Sequence, residues 1–424
     1  LALPKKRHPA DRAVRCITIR CWRASNSSEN AFQSRGCALA FDLSIGTFGI
    51  QVSIEGFIMF RWLMCIGLCF SLVWLTGDSS AQEHLEKLTA GEVELKFAGP
   101  MAFGSDGVLF IGDSATACVH ALDTGERESG EFKSFTVEGL DAKVAAALGT
   151  DVDGIRINDL AVSPISGKVF LSVNRGDAGI ILKVATDGSL TELDLKNIKH
   201  ASATIPNAPG EDAKDRRGRP LRALSVTDIS LIDNQVVVAG LSNEEFASNL
   251  RAIPYPFSDD IEGTALEVYH GAHGKWETNA PVRTFAGISI DNEPYIVAAY
   301  TCTPLVRFPL SEVTSGQKIK GTTVAELGNW NNPLDMFVYK KDGEKFILMA
   351  NTNRGMMKIS TQDMGREEGI TSRVSRGGTD GQTYETIDDL KTAVQLDRYG
   401  DSHAIVILKD EESGRHDLKV VPLP

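Results

Sequence analysis

Three aspartates, Asp159, Asp228 and Asp335, each stand where an apolar run begins, so carboxylates could converge on one site if those runs are repeats of one unit. A second group differs in kind. His270, His273 and Glu277 fall within "HGAHGKWE", and Cys302 follows in "YTCTPLV". Imidazole, carboxylate and thiolate are together a ligand set for a divalent transition metal. The His-x-x-His spacing lacks the helical glutamate pattern of a metalloprotease. Glycines on both sides place the pair in a loop, where hydrogen-bonded histidines are the plainer reading. "DVDG" (151–154) echoes a calcium loop without its later ligands, and a turn is expected there. No nucleophile elbow, phosphate loop, dinucleotide fingerprint or haem-attachment motif occurs where it would function.

The elements around these residues recur. "RINDLAVSPISGKVFLSVNRG" (156–176) reads as two strands joined by a turn, opening on Asn158 and Asp159. "FAGPMAFGSDGVLFIGDS" (97–114), "SVTDISLIDNQVVVAGLSN" (225–243), "FAGISIDNEPYIVAAYTCT" (285–303) and "NPLDMFVYKKDGEKFILMANTNRG" (332–355) share the pattern. Pro100, Asp159, Asp228, Gly287 and Asp335 are the equivalent positions, and a further step lands near Lys391. Six such units, each with a third and commonly a fourth strand, predict an all-β chain: a six-bladed β-propeller of four-stranded antiparallel blades. The last unit, ending in "HDLKVVPLP", lacks its fourth strand. Segment 83–97 is expected to supply it, so that an N-terminal strand closes the ring. A short helix is expected within 139–154.

In a propeller the inner strands start around the axis. The loops after the second strands open on the same face. A polar binding face is therefore expected from Asn158, Asp159, Arg175, Asp228, Asn243, Glu244, Tyr300, Asp335, Asn353 and Arg354, with Asp113, Asn174 and Asn351 beside them. Asx side chains also tie off turns at strand starts, which is the structural alternative for the aspartates. A transition metal, if bound, falls to His270, His273, Glu277 and Cys302.

The ends bound the compartment. Residues 59–81 carry Arg61, an apolar run over Trp62–Leu75 and Ser79-Ser80-Ala81, the pattern of a signal peptide. The run is shorter than the roughly 20 residues a spanning helix needs. Met59 is then the expected start, 1–58 an over-extended and unstructured N-terminus, and 82–424 a single propeller domain in the periplasm or outside the cell. The chain carries −12 overall, and the basic residues before 82 make the remainder more acidic still. That balance argues against nucleic acid and anionic membranes. Cys118 and Cys302, in units one and four, are too far apart to pair.

The units resemble the six-bladed propellers of the NHL and gluconolactonase (senescence-marker) type, most closely in "AGPMAFGSDGVLFIGDSATACVHALDTGE" and "INDLAVSPISGKVFLSVNRG". The resemblance implies the fold across about 83–424. In the lactonases a Glu of the first unit binds a catalytic divalent metal, and here Ala98-Gly99-Pro100 stands at that place. The Asn of their Pro-Asn-Asp stretch matches Asn158. One metal ligand is thus kept and one lost. The expected function is an exported binding or interaction protein, a monomer, recognising a small molecule, glycan or protein at the channel face. The alternative is a metal- or quinone-dependent hydrolase or dehydrogenase at the channel mouth. The cofactor is left open by the sequence, a divalent metal being the candidate named.

Overall fold

A computed structural model describes residues 85–424 except 256, 258–261 and 303. The expected extension (1–58) and leader (59–81) lie outside the described residues. The rest forms six sheets of a β-propeller. We number the blades by the chain order of their inner strands. Blade 1 has inner strand Met101–Phe103, then Val108–Asp113, Cys118–Asp123 and Ile198–Thr204, with Thr89–Gly91 on its outer edge. Blade 2 is Ile155–Val162, Val169–Arg175, Ala178–Val184 and Leu190–Glu192. Blade 3 is Asp228–Ile232, Gln235–Leu241, Ser248–Pro254 and Thr264–His270, the last flanked by Lys275–Glu277 and, in parallel, Lys318–Lys320. Blade 4 is Val282–Ile290, Glu293–Tyr300, Pro304–Pro309 and Thr322–Leu327, with Thr379–Gly381 at its edge. Blade 5 is Pro333–Lys341, Glu344–Asn351, Gly355–Ser360 and Tyr384–Ile387. Blade 6 is Ala393–Tyr399, His403–Lys409, His416–Pro422 and Thr136–Val137.

Second strands such as "VLFIGD" and "VVVAGL" are apolar without alternation because both sheet faces are covered. Successive side chains point to opposite faces, so one strand serves two junctions. Val108 and Phe110 pack with Ile229, Val236 and Val238 of blade 3. Leu109 and Ile111 pack with Ala161, Phe170 and Ile181 of blade 2. The same alternation joins blades 3, 4 and 5, then blade 5 to blade 6, and blade 6 to blade 2.

The spatial order is therefore 1, 3, 4, 5, 6, 2 and back to 1, which the repeat pattern does not reveal. After three strands of blade 1 the chain crosses to the outer edge of blade 6 and forms the expected helix, Leu140–Ala147. It then builds blade 2 between blades 6 and 1, and returns with Ile198–Thr204 to finish blade 1. This corrects the expected closing segment. The fourth strand of the last blade does come from earlier in the chain, but it is Thr136–Val137, paired with Leu418 and Lys419. Thr89–Gly91, from the expected segment, instead pairs with Ile198–His200 on blade 1. Cys118 and Cys302 are both free, as expected, although their blades are two steps apart around the ring rather than opposite.

The closing strand yields a test. Val137 is fully buried in the junction of blades 6 and 2, whereas Thr89 is exposed. Val137→Asp places an unpaired charge in that core and is expected to cost more than about 3 kcal/mol. Thr89→Asp is expected to change stability by less than about 0.5 kcal/mol. Urea unfolding of the two variants checks the difference, and equal costs would contradict the closure described.

Candidate functional site

The opening of each inner strand explains why polar residues stand there. In blades 2, 4, 5 and 6 the pairing register slips by one residue, leaving Asn158, Arg283, Leu334 and Val394 as the extra residue of a bulge. A bulge bends the strand and re-aims the next side chains. Asp159 and Asp335 follow their bulges directly.

Four aspartates face the channel and bridge neighbouring blades. Asp159 accepts from the Leu160 amide at 2.8 Å on its own strand and from Met101 of blade 1 at 2.7 Å. Asp228 accepts from Ile229 and from Phe285 of blade 4, both at 2.8 Å. Asp397 accepts from Arg398 at 2.6 Å and from Val162 of blade 2 at 2.7 Å. Asp335 accepts from Leu396 of blade 6 at 2.9 Å. Four of the six junctions thus carry a carboxylate clamp. The others, blade 1 to 3 and blade 4 to 5, correspond to the units with Pro100 and Gly287 in place of an aspartate. Apolar packing makes those joints. A Cβ on Gly112 would lie 2.5 Å from the Val226 side chain, so glycine is what permits the close approach of blades 1 and 3.

Asp397 is the clamp that the repeat spacing missed. Segment 361–383 returns to blade 4, where Thr379–Gly381 pairs, so the last inner strand arrives later than the step to Lys391 anticipates. The signal was present in "QLDRY", an acidic residue inside an otherwise apolar strand.

Burial, which is partial for all four side chains, raises these carboxyls. Asp228 is pushed to about 7 and Asp397 to about 6 by burial, with their backbone donors opposing. Burial carries Asp159 and Asp335 well above the ordinary range, and the other aspartates push the same way. The four line one end of a cavity of about 970 Å³ that follows the channel axis. Its exposed lining residues, among them Pro164, Asp233, Ser289, Asn292, Arg398 and Asp401, lie at or just beyond the C-terminal ends of the inner strands.

The cavity therefore faces away from the loops expected to form the binding face. Of the expected binding residues only Asp159, Asp228 and Asp335 line it. Asn158 donates to the Ala98 carbonyl at 2.7 Å and to Asn174 Oδ1 at 2.8 Å, tying blade 2 to the chain entering blade 1. Arg175 bonds the Leu148 carbonyl, and Glu244 accepts from Asn207. The Asn243 amide bonds the Asn207 carbonyl, Asn353 donates to the Trp330 carbonyl, and Arg354 donates to the Asn329 carbonyl. Tyr300 is fully buried in the core of blades 3 to 5, because its strand continues to that residue. It is not a loop residue.

The second group does assemble in part. His270 and His273 each place Nδ1 on Glu277, at 3.0 and 2.7 Å. Cys302 is not among them; its backbone is bonded to the Asn331 carbonyl in another loop. A lactonase-type metal does not fit at Asn158. Ala98 is wholly buried and offers only a carbonyl, which already accepts the Asn158 amide.

No protein-family model matches the sequence, and no curated protein does. Solved structures match it at low similarity. A protein assigned as an oxidoreductase (glucose dehydrogenase) from Thermus thermophilus is 11% identical, with a TM-score of 0.34 over 79% of this chain and 100% of that one. The aldose sugar dehydrogenase of Streptomyces coelicolor, in its PQQ-bound form, is 10% identical, with a TM-score of 0.33 over 79% and 97%. A protein assigned to the gluconolactonases is 8% identical, with a TM-score of 0.29 over 79% and 92%.

The raised carboxyls set a pH dependence. A folded chain that holds protons the unfolded chain releases is stabilised below about pH 4 and loses that contribution as pH rises through 6 to 7. For Asp228 the interval amounts to as much as about 4 kcal/mol. Asp228→Asn keeps one acceptor and turns an NH2 toward the other amide, so it is expected to be less stable than the parent by about 1–3 kcal/mol at pH 4.5. That gap should shrink toward pH 7.5. Urea midpoints at the two pH values measure it, and parallel pH profiles would refute the raised carboxyl.

Proposed function

We propose that the chain is an exported ligand-binding propeller whose central channel takes a small cationic molecule against the aspartate ring. One observation carries the ligand class. The described residues lining the cavity include six aspartates and a single base, Arg398, which sits at the exposed end. Among the described residues, Asp159, Asp228 and Asp335 have no basic group acting on them, Arg398 serving Asp397 alone, and such half-buried carboxyls gain most from an amine. Such a ligand brings positive charge and N–H donors together. A neutral sugar supplies only hydrogen bonds. Phe103 and Phe132 would border its apolar part. Export rests on the leader pattern over 59–81.

Putrescine, lysine and spermidine are suitable probes, with glucose as the neutral control, read by thermal shift at pH 6 and pH 8. The amines stay charged at both values while Asp228, pushed to about 7, ionises between them. A larger stabilisation at pH 8 than at pH 6 is expected, and its loss in Asp335→Asn. Stabilisation by glucose alone, or by none of the probes, would sink the reading.

An enzymatic reading has one observation in its favour. Burial pushes Asp228 to about 7 and Asp397 to about 6, the range in which proton-transfer groups work. However, both oxygens of each are held by backbone amides, which fixes them as clamps. Recovery of a bound probe chemically unchanged after prolonged incubation is the expected result.

A further inference from the structure

Outside the channel, the turn that follows the outer strand of blade 3 gathers a compact set of ligating groups. Thr264–His270 ends on His270, residues 271–274 turn, and Lys275–Glu277 comes back alongside it. The turn is closed by Gly274, which bonds the His270 carbonyl at 2.8 Å and adopts φ +68°. This short return brings His270, His273 and Glu277 within 4.8 Å of one another through their ligating atoms. We infer that these three residues form a site for a divalent transition metal of the zinc class, at the rim between blades 3 and 4.

The spacing suits the ion. Zinc holds nitrogen and oxygen ligands at about 2.0–2.2 Å, which sets tetrahedral neighbours roughly 3.3 Å apart. The two imidazole nitrogens now lie 3.0 and 2.7 Å from the Glu277 oxygens, where a proton is shared. An ion takes the place of both Nδ1 protons, one on each ring, each imidazole ending neutral with its proton on Nε2, and requires an outward shift of the ligating atoms. His273 can supply it, since its side chain is 48% exposed.

Two buried atoms give independent support. His270 is only 3% exposed, yet its Nε2 has no partner. Glu326 of blade 4 is 1% exposed, and its Oε2 has none either. The other Glu326 oxygen accepts the amide of Gly271, next to His270. A histidine that ligates through Nδ1 carries its proton on Nε2 and commonly donates it to a carboxylate. Glu326 is the carboxylate available for that role. Glycine at 271 makes room for it, because a Cβ there would lie 2.9 Å from the Glu326 side chain. The charged groups nearby are Lys275, whose Nζ is 3.5 Å from Glu277, and Arg373, which packs against Gly274. Three protein ligands leave a fourth position open to water on the exposed side of His273.

The site is independent of the channel reading and is tested on the full chain. Metal-stripped protein is titrated with Zn²⁺ by calorimetry and with Co²⁺ by visible absorption. One equivalent of each is expected, with Co²⁺ showing the intense bands of a four-coordinate ion. His273→Gln, at an exposed position that leaves the fold intact by circular dichroism, should lose at least tenfold in affinity together with the Co²⁺ bands. Glu326→Gln should weaken binding about tenfold or more at unchanged stoichiometry. Absence of stoichiometric binding by the parent, or equal affinity in His273→Gln, overturns the site.

Discussion

A propeller closes only if each blade meets the next at a set angle, and apolar packing alone is non-directional. Here the direction comes from aspartate. In Asp159, Asp228 and Asp397 one oxygen accepts the amide that follows it, which fixes the side chain, and the other reaches the backbone of the neighbouring blade; Asp335 makes the inter-blade bond. Aspartate suits this place because it is short and has two acceptors; asparagine has one. The bulges that open four inner strands lie just before or close to these clamps and to the amides they reach. The consequence is a ring of half-buried carboxyls around the axis, each with its ionisation opposed by burial. The same feature that holds the blades together therefore creates the unusual electrostatics of the channel.

The chain path adds a second restraint. Because blade 2 is inserted between blades 6 and 1, three connections stitch that region: Thr136–Val137 onto blade 6, the helix against blades 2 and 6, and Ile198–Thr204 back onto blade 1. Separating blade 6 from blade 2 would require breaking the pairing of Val137 with Leu418, the helix packing through Leu140 and Val144, and the Asp397 bond to Val162. The sector holding both chain-order irregularities is also the one with consecutive aspartate clamps, at junctions 5–6, 6–2 and 2–1.

Repetition made much of this legible before the structure. Asp159, Asp228 and Asp335 stood out because they recur at one place in a unit, and the units lacking the residue mark the two junctions without a clamp. Asp397 escaped because an excursion to blade 4 precedes its strand and spoils the step. The blade order was illegible for a deeper reason: similar units reveal how many blades there are, but not which are neighbours. Of the residues expected on the binding face, Asn158, Arg175 and Arg354 are polar side chains engaged with backbone carbonyls. Composition does not distinguish a side chain that faces solvent from one that ties off a loop. His270, His273 and Glu277 were found because their spacing is local, whereas Cys302, joined to them only by residue type, lies elsewhere.

The central claim is that four carboxyls in the channel are structural, desolvated and shared between blades. It is tested most directly by following the aspartate side-chain carbonyl signals of ¹³C-labelled protein through a pH titration, assigned by single substitutions. Four aspartates are expected to titrate above the ordinary carboxylate range, Asp397 near 6, Asp228 near 7, and Asp159 and Asp335 well displaced upward. A titration in which every aspartate changes state below about pH 5 would mean that the channel is wet and its carboxylates ordinary, contradicting both the clamp energetics and the ligand class drawn from them.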